Sequence, residues 1–276
     1  MDTSKADTPA FTFDVFKRIQ PSEYIRRFLE QQVRPDGRPL NRFRKTALNT
    51  GTITTADGSA VARLGGTTVV CGIKAEVAEP KINKPNEGYL VPNLELSPIC
   101  SSKFKPGPPM EQAQVMSELL DTVFKQCSVL RLSDLCIEEG KAVWVLYADL
   151  LCLNYDGNVI DAALIALVSA LKNLRLPSAS YNDGLVKATE DRPIQIQLQR
   201  IPLSSTFALF EGQYLLSDPN EAEESITEEM ITVVVDERGQ LCHVRKTGGL
   251  STTPEILRQC IEAARSRYSE VEKILA

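Results

Sequence analysis

The side chains of this 276-residue chain that could do chemistry fall into a few groups. Lys103 and Lys105 stand in a loop-like segment, and Arg42, Arg44 and Lys45 form a second basic cluster. A phosphate contact needs only a reachable positive charge, which such residues supply. The basic cluster is equally able to pair with the chain's surplus acids. The run Asp218-Pro-Asn-Glu-Ala-Glu-Glu-Ser-Ile-Thr-Glu-Glu-Met230 is rich in acids, and a carboxylate there could serve as a general acid. So dense a run reads first as a solvated acidic loop. The one histidine, His243, lies in a strand-like stretch and reads as structural. The seven cysteines (Cys71, Cys100, Cys127, Cys136, Cys152, Cys242 and Cys260) are scattered, with no C-x-x-C spacing, and read as reduced, buried thiols. One histidine and no cysteine pair make a poor zinc set. Ser–His or Cys–His catalysis would hang on His243 alone.

The elements that must position these groups follow from periodicity and turn residues. A tail through residue 20 leads to a short helix opened by Pro21 and Ser22, with Ile25, Phe28 and Leu29 on one face. Arg34, Asp36 and Arg38 hold together the tight reversal Arg34-Pro-Asp-Gly-Arg38. Three strands are predicted over 52–55, 60–64 and 67–76, with a hairpin turn at 56–58 and Gly65-Gly66 before the third. A loop at 81–87 and a strand at 89–96 follow. Pro106-Gly-Pro-Pro109 opens a helix with an apolar stripe of Met116, Leu119, Leu120, Val123 and Phe124. The apolar run 142–153 reads as a long strand, and its turn at 154–158 feeds a helix through about 171 that is apolar almost all round, hence central and buried. The second half repeats strands (193–198, 205–210, 214–216, 231–236, 241–246) and then a helix capped by threonine at Thr252-Thr-Pro-Glu255. The expected architecture is one two-lobed α/β domain over 21–276, preceded by a tail at 1–20.

Composition narrows the classes further. Lys plus Arg number 31 and Asp plus Glu 36, a net charge of −5 that argues against a free-standing nucleic-acid binder held by general positive charge. It leaves room for a local basic patch. The longest apolar run is interrupted by Asp149 and falls short of the ~18–20 residues of a membrane span. The polar N-terminus carries no secretory pattern, so a soluble, intracellular protein is expected.

Several motifs go beyond fold class. Arg34-Pro-Asp-Gly-Arg38 is followed by Ala56-Asp-Gly-Ser-Ala60, Leu64-Gly-Gly-Thr-Thr-Val-Val-Cys-Gly72, Gly88-Tyr-Leu-Val-Pro-Asn-Leu-Glu-Leu-Ser-Pro98, Gly107-Pro-Pro109 and Leu153-Asn-Tyr-Asp-Gly-Asn-Val-Ile-Asp-Ala162. In this order and spacing the chain resembles the RNase PH family over about residues 21–276. Within it, Tyr155-Asp-Gly-Asn158 and Ser101-Ser-Lys-Phe-Lys-Pro-Gly-Pro-Pro109 are similar to the non-catalytic ring subunits of the eukaryotic RNA exosome.

The resemblance implies an RNase PH-like fold of the ribosomal protein S5 domain 2-like kind, with two strand-plus-helix halves. It also implies a place in a hexameric ring of RNase PH-like chains, with S1/KH-type cap subunits, RNA in a central channel and an associated hydrolytic exoribonuclease as partners. No cofactor, metal or membrane is implied, and the expected locations are nucleus, nucleolus and cytoplasm. Catalytic relatives hold phosphate with a Gly-Ser-Arg-like segment at the start of the central helix, where free amides and the helix dipole favour an anion. Here the matching turn is 154–161. Aligned on the glycine, Asn158 and Val159 take the Ser and Arg places; aligned on the helix, Tyr155 and Asp156 do. Neither alignment supplies a guanidinium, and Asp156 and Asp161 bring negative charge instead. The family's late catalytic aspartate is matched only by Glu229, in a segment one residue short. The resemblance therefore predicts no catalytic residues, with Lys103 and Lys105 as pore-facing RNA contacts. The alternative is a phosphate-dependent 3′-5′ exoribonuclease.

Overall fold

Pro21 stands in the first turn of a helix, where its missing N–H costs nothing, and Ile25 and Leu29 one turn apart give that helix a buried face. The computed structural model describes residues 13–182, 185–189, 191–249 and 252–275. Residues 13–19, expected as tail, are also helical: α1 (Phe13–Ile19) precedes α2 (Pro21–Leu29), and the Phe16 ring packs edge-on to Tyr24 at 6.3 Å while Arg27 lies over it at 4.9 Å. The rest of the expected tail, residues 1–12, lies outside the described residues.

The first sheet comprises β1 (Thr46–Thr50), β2 (Gly58–Leu64), β3 (Thr67–Ala78), β4 (Tyr89–Leu96), β5 (Cys136–Glu138) and β6 (Ala142–Asn154). Its order is β1-β2-β3-β6-β4, with β5 on β6, and every pairing is antiparallel except β4 with β6. The β4-to-β6 crossover carries α3 (Glu111–Cys127), whose Leu120, Val123 and Phe124 are buried as its stripe predicts. The first strand departs from expectation. Residues 52–55 are not a strand but part of the connection after β1, held by the Ser59 hydroxyl accepting from the Ile53 amide at 2.9 Å. Side-chain-to-backbone bonds of this kind compete with a ladder.

Beyond β6 runs α4 (Val159–Lys172), in which every residue from Val159 to Leu171 is buried. Short strands follow: β7 (Arg175–Leu176), the hairpin β8 (Ala179–Asn182) with β9 (Leu185–Ala188), and β10 (Ile194–Gln195) paired with β7. The strand expected over 193–198 is reduced to β10. The second sheet, in order β12-β11-β13-β14, is antiparallel: β11 (Leu203–Phe210), β12 (Tyr214–Ser217), β13 (Glu229–Val235) and β14 (Leu241–Thr247). Between β12 and β13 lies α5 (Glu221–Ile226), and the chain continues to α6 (Pro254–Leu275).

Layering explains why α4 is apolar all round. It packs on β2 and β3 on one side and on β11 on the other, so no face meets water. All eight residues of β11 are buried: Phe207 joins the main core, while Ala208 and Phe210 pack on Ile25 and Leu29 of α2. The helix and first sheet approach closely at Gly58, where a Cβ would stand 2.6 Å from the Ala170 carbonyl oxygen. Gly58→Ala should therefore force β2 away from α4 and destabilise the fold by about 1–3 kcal/mol, read as a lower urea midpoint at unchanged slope.

Candidate functional site at the start of the central helix

Gly157 and Asn158 both adopt positive φ, turning the chain from β6 into α4. A side chain at Gly157 could not fit, since its Cβ would fall 2.6 Å from the backbone carbon of Asn220 and 2.7 Å from the Glu221 nitrogen. The turn is thus pressed against the segment that leaves the second sheet. That segment is not a solvated acidic loop. It contains α5, opened by a capping box in which the Asn220 side chain accepts from the Glu223 amide and the Glu223 carboxylate accepts from the Asn220 amide. Asp218 and Glu223 have no exposed surface. Arginines from the start of the chain draw them inside.

Arg44 is the centre of this arrangement. Its Nε donates to Asp218 Oδ2 and its Nη2 to Asp218 Oδ1, both at 2.8 Å, a two-pronged pair that fixes the carboxylate's orientation. Its Nη1 donates to the Asp156 carbonyl at 2.6 Å and pairs with the Asp156 carboxylate at 3.1 Å. Arg34, wholly buried, grips Glu223 with Nε at 2.8 Å and Nη2, and donates to the Ser217 and Asp218 carbonyls at 2.6 and 3.0 Å. Arg38 pairs with Asp36 at 2.6 Å, as expected of the turn, and reaches Asp218 at 3.5 Å. Arg34 does more than hold that turn, because it ties the turn to the second sheet.

The acids at the helix start are consumed in the same way. The Asn158 amide donates to Glu224 Oε1 and the Tyr155 hydroxyl to Glu224 Oε2, each at 2.7 Å. The Asn158 side-chain amide donates at 2.7 Å to both Asp161 and Asp218. Asp161 also accepts from the Thr206 amide and hydroxyl, both at 2.9 Å. The cavity that Asp161 borders measures about 10 Å³, room for one water at most.

Burial pushes the Asp161 carboxyl above its ordinary range, and neighbouring Asp218 adds to the effect. Burial would raise Asp218 as well, but the hydrogen bonds and charge of Arg44 outweigh it and hold that carboxyl low. Glu224 is raised by burial despite the Asn158 and Tyr155 bonds.

The two lysines singled out in the sequence are exposed on the loop before α3. Between them Phe104 is buried and meets the Tyr155 ring edge-on at 5.1 Å, and Lys103 Nζ stands 5.5 Å from the same ring. Glu229 begins β13 opposite Leu209 and pairs with Lys246 at 3.5 Å. It lies three residues along β11 from Thr206, about 10 Å at ~3.4 Å per residue, and so away from the α4 turn. His243 Nδ1 faces the Gln126 carboxamide oxygen at 2.9 Å. Five of the seven free cysteines are buried, while Cys136 and Cys242 are half-buried; burial pushes the thiols of Cys127, Cys152 and Cys260 up to about 12. Among the described residues, no cluster of three or more His, Cys, Asp or Glu side chains is placed to hold a metal ion, and no helix is long and apolar enough to cross a membrane.

Sequence reasoning counted the acids but not their partners. Arg44 and Asp218 are 174 positions apart, and no local pattern pairs residues at that separation. The available signal was the coincidence of an acid-rich run with an arginine-rich start.

This is the architecture of the 3′ exoribonuclease family: residues 42–177 match the model of its domain 1 and residues 200–267 that of its domain 2. The chain belongs to that family. Among its relatives, the exosome complex component rrp43 of Schizosaccharomyces pombe is 45% identical over 263 residues, covering 94% of this chain and 96% of its own. The exosome complex component Rrp42 of Methanopyrus kandleri is 38% identical over 261 residues, covering 94% and 97%. A chain of the Archaeoglobus fulgidus exosome with RNA bound to the active site superposes with a TM-score of 0.84 at 29% identity, covering 92% of this chain and 97% of that one.

Asp218→Asn should show what the pair with Arg44 contributes. A folded carboxyl held low adds stability that is present above the ordinary Asp value near ~3.9 and is lost as pH falls through the folded value. The substitution should cost about 3–5 kcal/mol at neutral pH, with the gap to wild type narrowing below about pH 4 in denaturant titrations. A gap constant with pH would show that the charge is not what Arg44 recognises.

Proposed function

We propose that this chain is a non-catalytic subunit of an RNA exosome ring. It helps form a central channel that guides RNA 3′ ends to a separate exoribonuclease during RNA processing and degradation. The observation that carries the reading is the state of the α4 start. Phosphorolysis attacks a phosphodiester with inorganic phosphate and needs a cationic, donor-rich cradle for a doubly charged anion. At this turn the Asn158 amide is spent on Glu224, and Arg44 on Asp218 and Asp156. The cation nearest the turn is neutralised before any phosphate arrives. Neither alignment of 154–161 offers a second guanidinium, and Glu229, the residue nearest to the family's late aspartate, is a strand away and paired with Lys246.

The curated relatives carry the name of exosome components over nearly the full length of this chain, which supports a role in assembly rather than independent turnover. The partners that follow are other RNase PH-like chains in a hexameric ring, S1/KH-type cap subunits, RNA and a hydrolytic exoribonuclease. The working locations are nucleus, nucleolus and cytoplasm. Lys103 and Lys105 touch RNA phosphates in the pore, held out by the Phe104–Tyr155 contact behind them.

Purified chain given single-stranded RNA and inorganic phosphate should release no nucleoside diphosphate, and Glu229→Gln should leave that blank unchanged. Release above background that Glu229→Gln abolishes would make the chain a phosphate-dependent exoribonuclease instead. In a ring reconstituted with its partner subunits, Lys103→Glu/Lys105→Glu should shorten the RNA length protected from nuclease. It should also lower the slope of log affinity against log salt by about 1.4, since a single-strand phosphate contact contributes ~0.7.

A further inference from the structure

Arginines and lysines at the α4 end of the first sheet divide into two sets. Arg34, Arg38, Arg44 and Arg267 have acid partners: Glu223, Asp36 and Asp218, Asp218 and Asp156, and Glu270. Arg42, Lys45 and Arg63 are exposed, and among the described residues none of them is in an ion pair. We propose that Arg42, Lys45 and Arg63 form a strip that binds the phosphate backbone of single-stranded RNA, in addition to the Lys103–Lys105 loop. The strip rests on the reading of the chain as a subunit of an RNA-handling ring.

The backbone brings the three together. Lys45 immediately precedes β1, and its carbonyl accepts the Gly65 amide at 3.0 Å, which sets it beside the Gly65–Gly66 turn. Arg63, on the outer face of β2, donates from Nε to the Gly65 carbonyl at 3.1 Å, leaving both Nη groups for a ligand. The Arg42 carbonyl is held by Arg38 Nη1 at 3.2 Å, while the Arg42 guanidinium faces solvent. Acids that border this surface are already engaged: Asp156 with Arg44, Asp36 with Arg38, and Glu270 with Arg267. The positive field of the strip is therefore not cancelled locally, although the chain as a whole carries a charge of −5.

The strip is also continuous with the loop assigned to RNA. The Asn154 side chain donates to the Gly66 carbonyl, and the next residue, Tyr155, is the ring over which Lys103 stands. Charges spread over neighbouring strands, about 4.8 Å apart, suit an extended polyanion rather than one compact anion. Point charges of this kind grip phosphates without reading bases. Binding should be indifferent to sequence and steeply dependent on salt.

The test uses rings assembled from full-length subunits, a labelled single-stranded RNA, and anisotropy titrations between about 50 and 200 mM salt. Arg42→Gln/Lys45→Gln/Arg63→Gln should weaken binding at least tenfold and lower the salt slope by about 2, from three contacts at ~0.7 each. Arg42→Gln/Lys45→Gln, which leaves the Arg63–Gly65 bond intact, should lower it by about 1.4 if the triple variant fails to fold. Wild-type and variant rings with the same slope would overturn the strip alone. So would a folded variant that no longer enters the ring, because the strip would then face acids of a neighbouring protein. Wild-type rings that do not bind RNA would remove the functional reading and the strip together.

Discussion

The Arg44–Asp218 pair is formed out of water, and the start of α4 is arranged around it. Asp218 has no exposed surface and Arg44 very little, so each has given up most of its hydration. Attraction between the two offsets that loss only because the geometry is close and the remaining donors and acceptors are met. They are. Arg44 also reaches the Asp156 and Gly157 carbonyls, and Asp218 takes the Asn158 side chain. A buried pair of this sort adds little net stability over a well-packed apolar one, but removing one partner strands the other. Its value here is positional. It ties the segment before β1, the end of β6 and the exit from β12 to one point, so the α4 turn has one place to be.

That point fixes how the two sheets share a helix. α4 is apolar on every side because β2 and β3 cover one flank and β11 the other. A helix with no polar face has no intrinsic preference for its rotation about its own axis. The polar groups at its first turn supply one. Asp161 takes the amide and hydroxyl of Thr206 on β11, and Thr67 on β3 takes the Asp156 amide and donates to the Gly157 carbonyl. The helix is indexed to both sheets at one end and then packed by unpatterned apolar contact along the rest.

Local signals were strong where the chain's own neighbours decide the outcome. Strand β4 coincides with the strand expected at 89–96, and the long strand, the buried helix and the second sheet lie within a few residues of their expected bounds. The RNase PH resemblance, carried by ordered motifs, named the fold that the domain 1 and domain 2 matches then established. Local signals failed where distant groups decide. Residues 52–55 look like a strand until Ser59 ties Ile53 into a turn. The run 218–230 looks solvated because nothing within it reveals that Arg34 and Arg44 wait far upstream. α1 depends on a ring contact with α2.

Residues 154–161 contain no arginine, yet they are not all that occupies the place. Arg44 does bring a cation to the α4 turn, but Asp218 and Asp156 arrive with it. What matters for an incoming anion is the uncommitted charge, not the inventory of side chains. A phosphate approaching Arg44 would have to displace a carboxylate already held by two bonds and already desolvated, and it would have to shed its own water to do so. The opposed shifts of Asp218 and Asp161 express the same balance: burial raises the Asp161 carboxyl, whose donors are neutral, whereas Arg44 holds the equally buried Asp218 carboxyl low. The turn is an electrostatically closed structure that holds the fold together, because its cation and its acids satisfy one another.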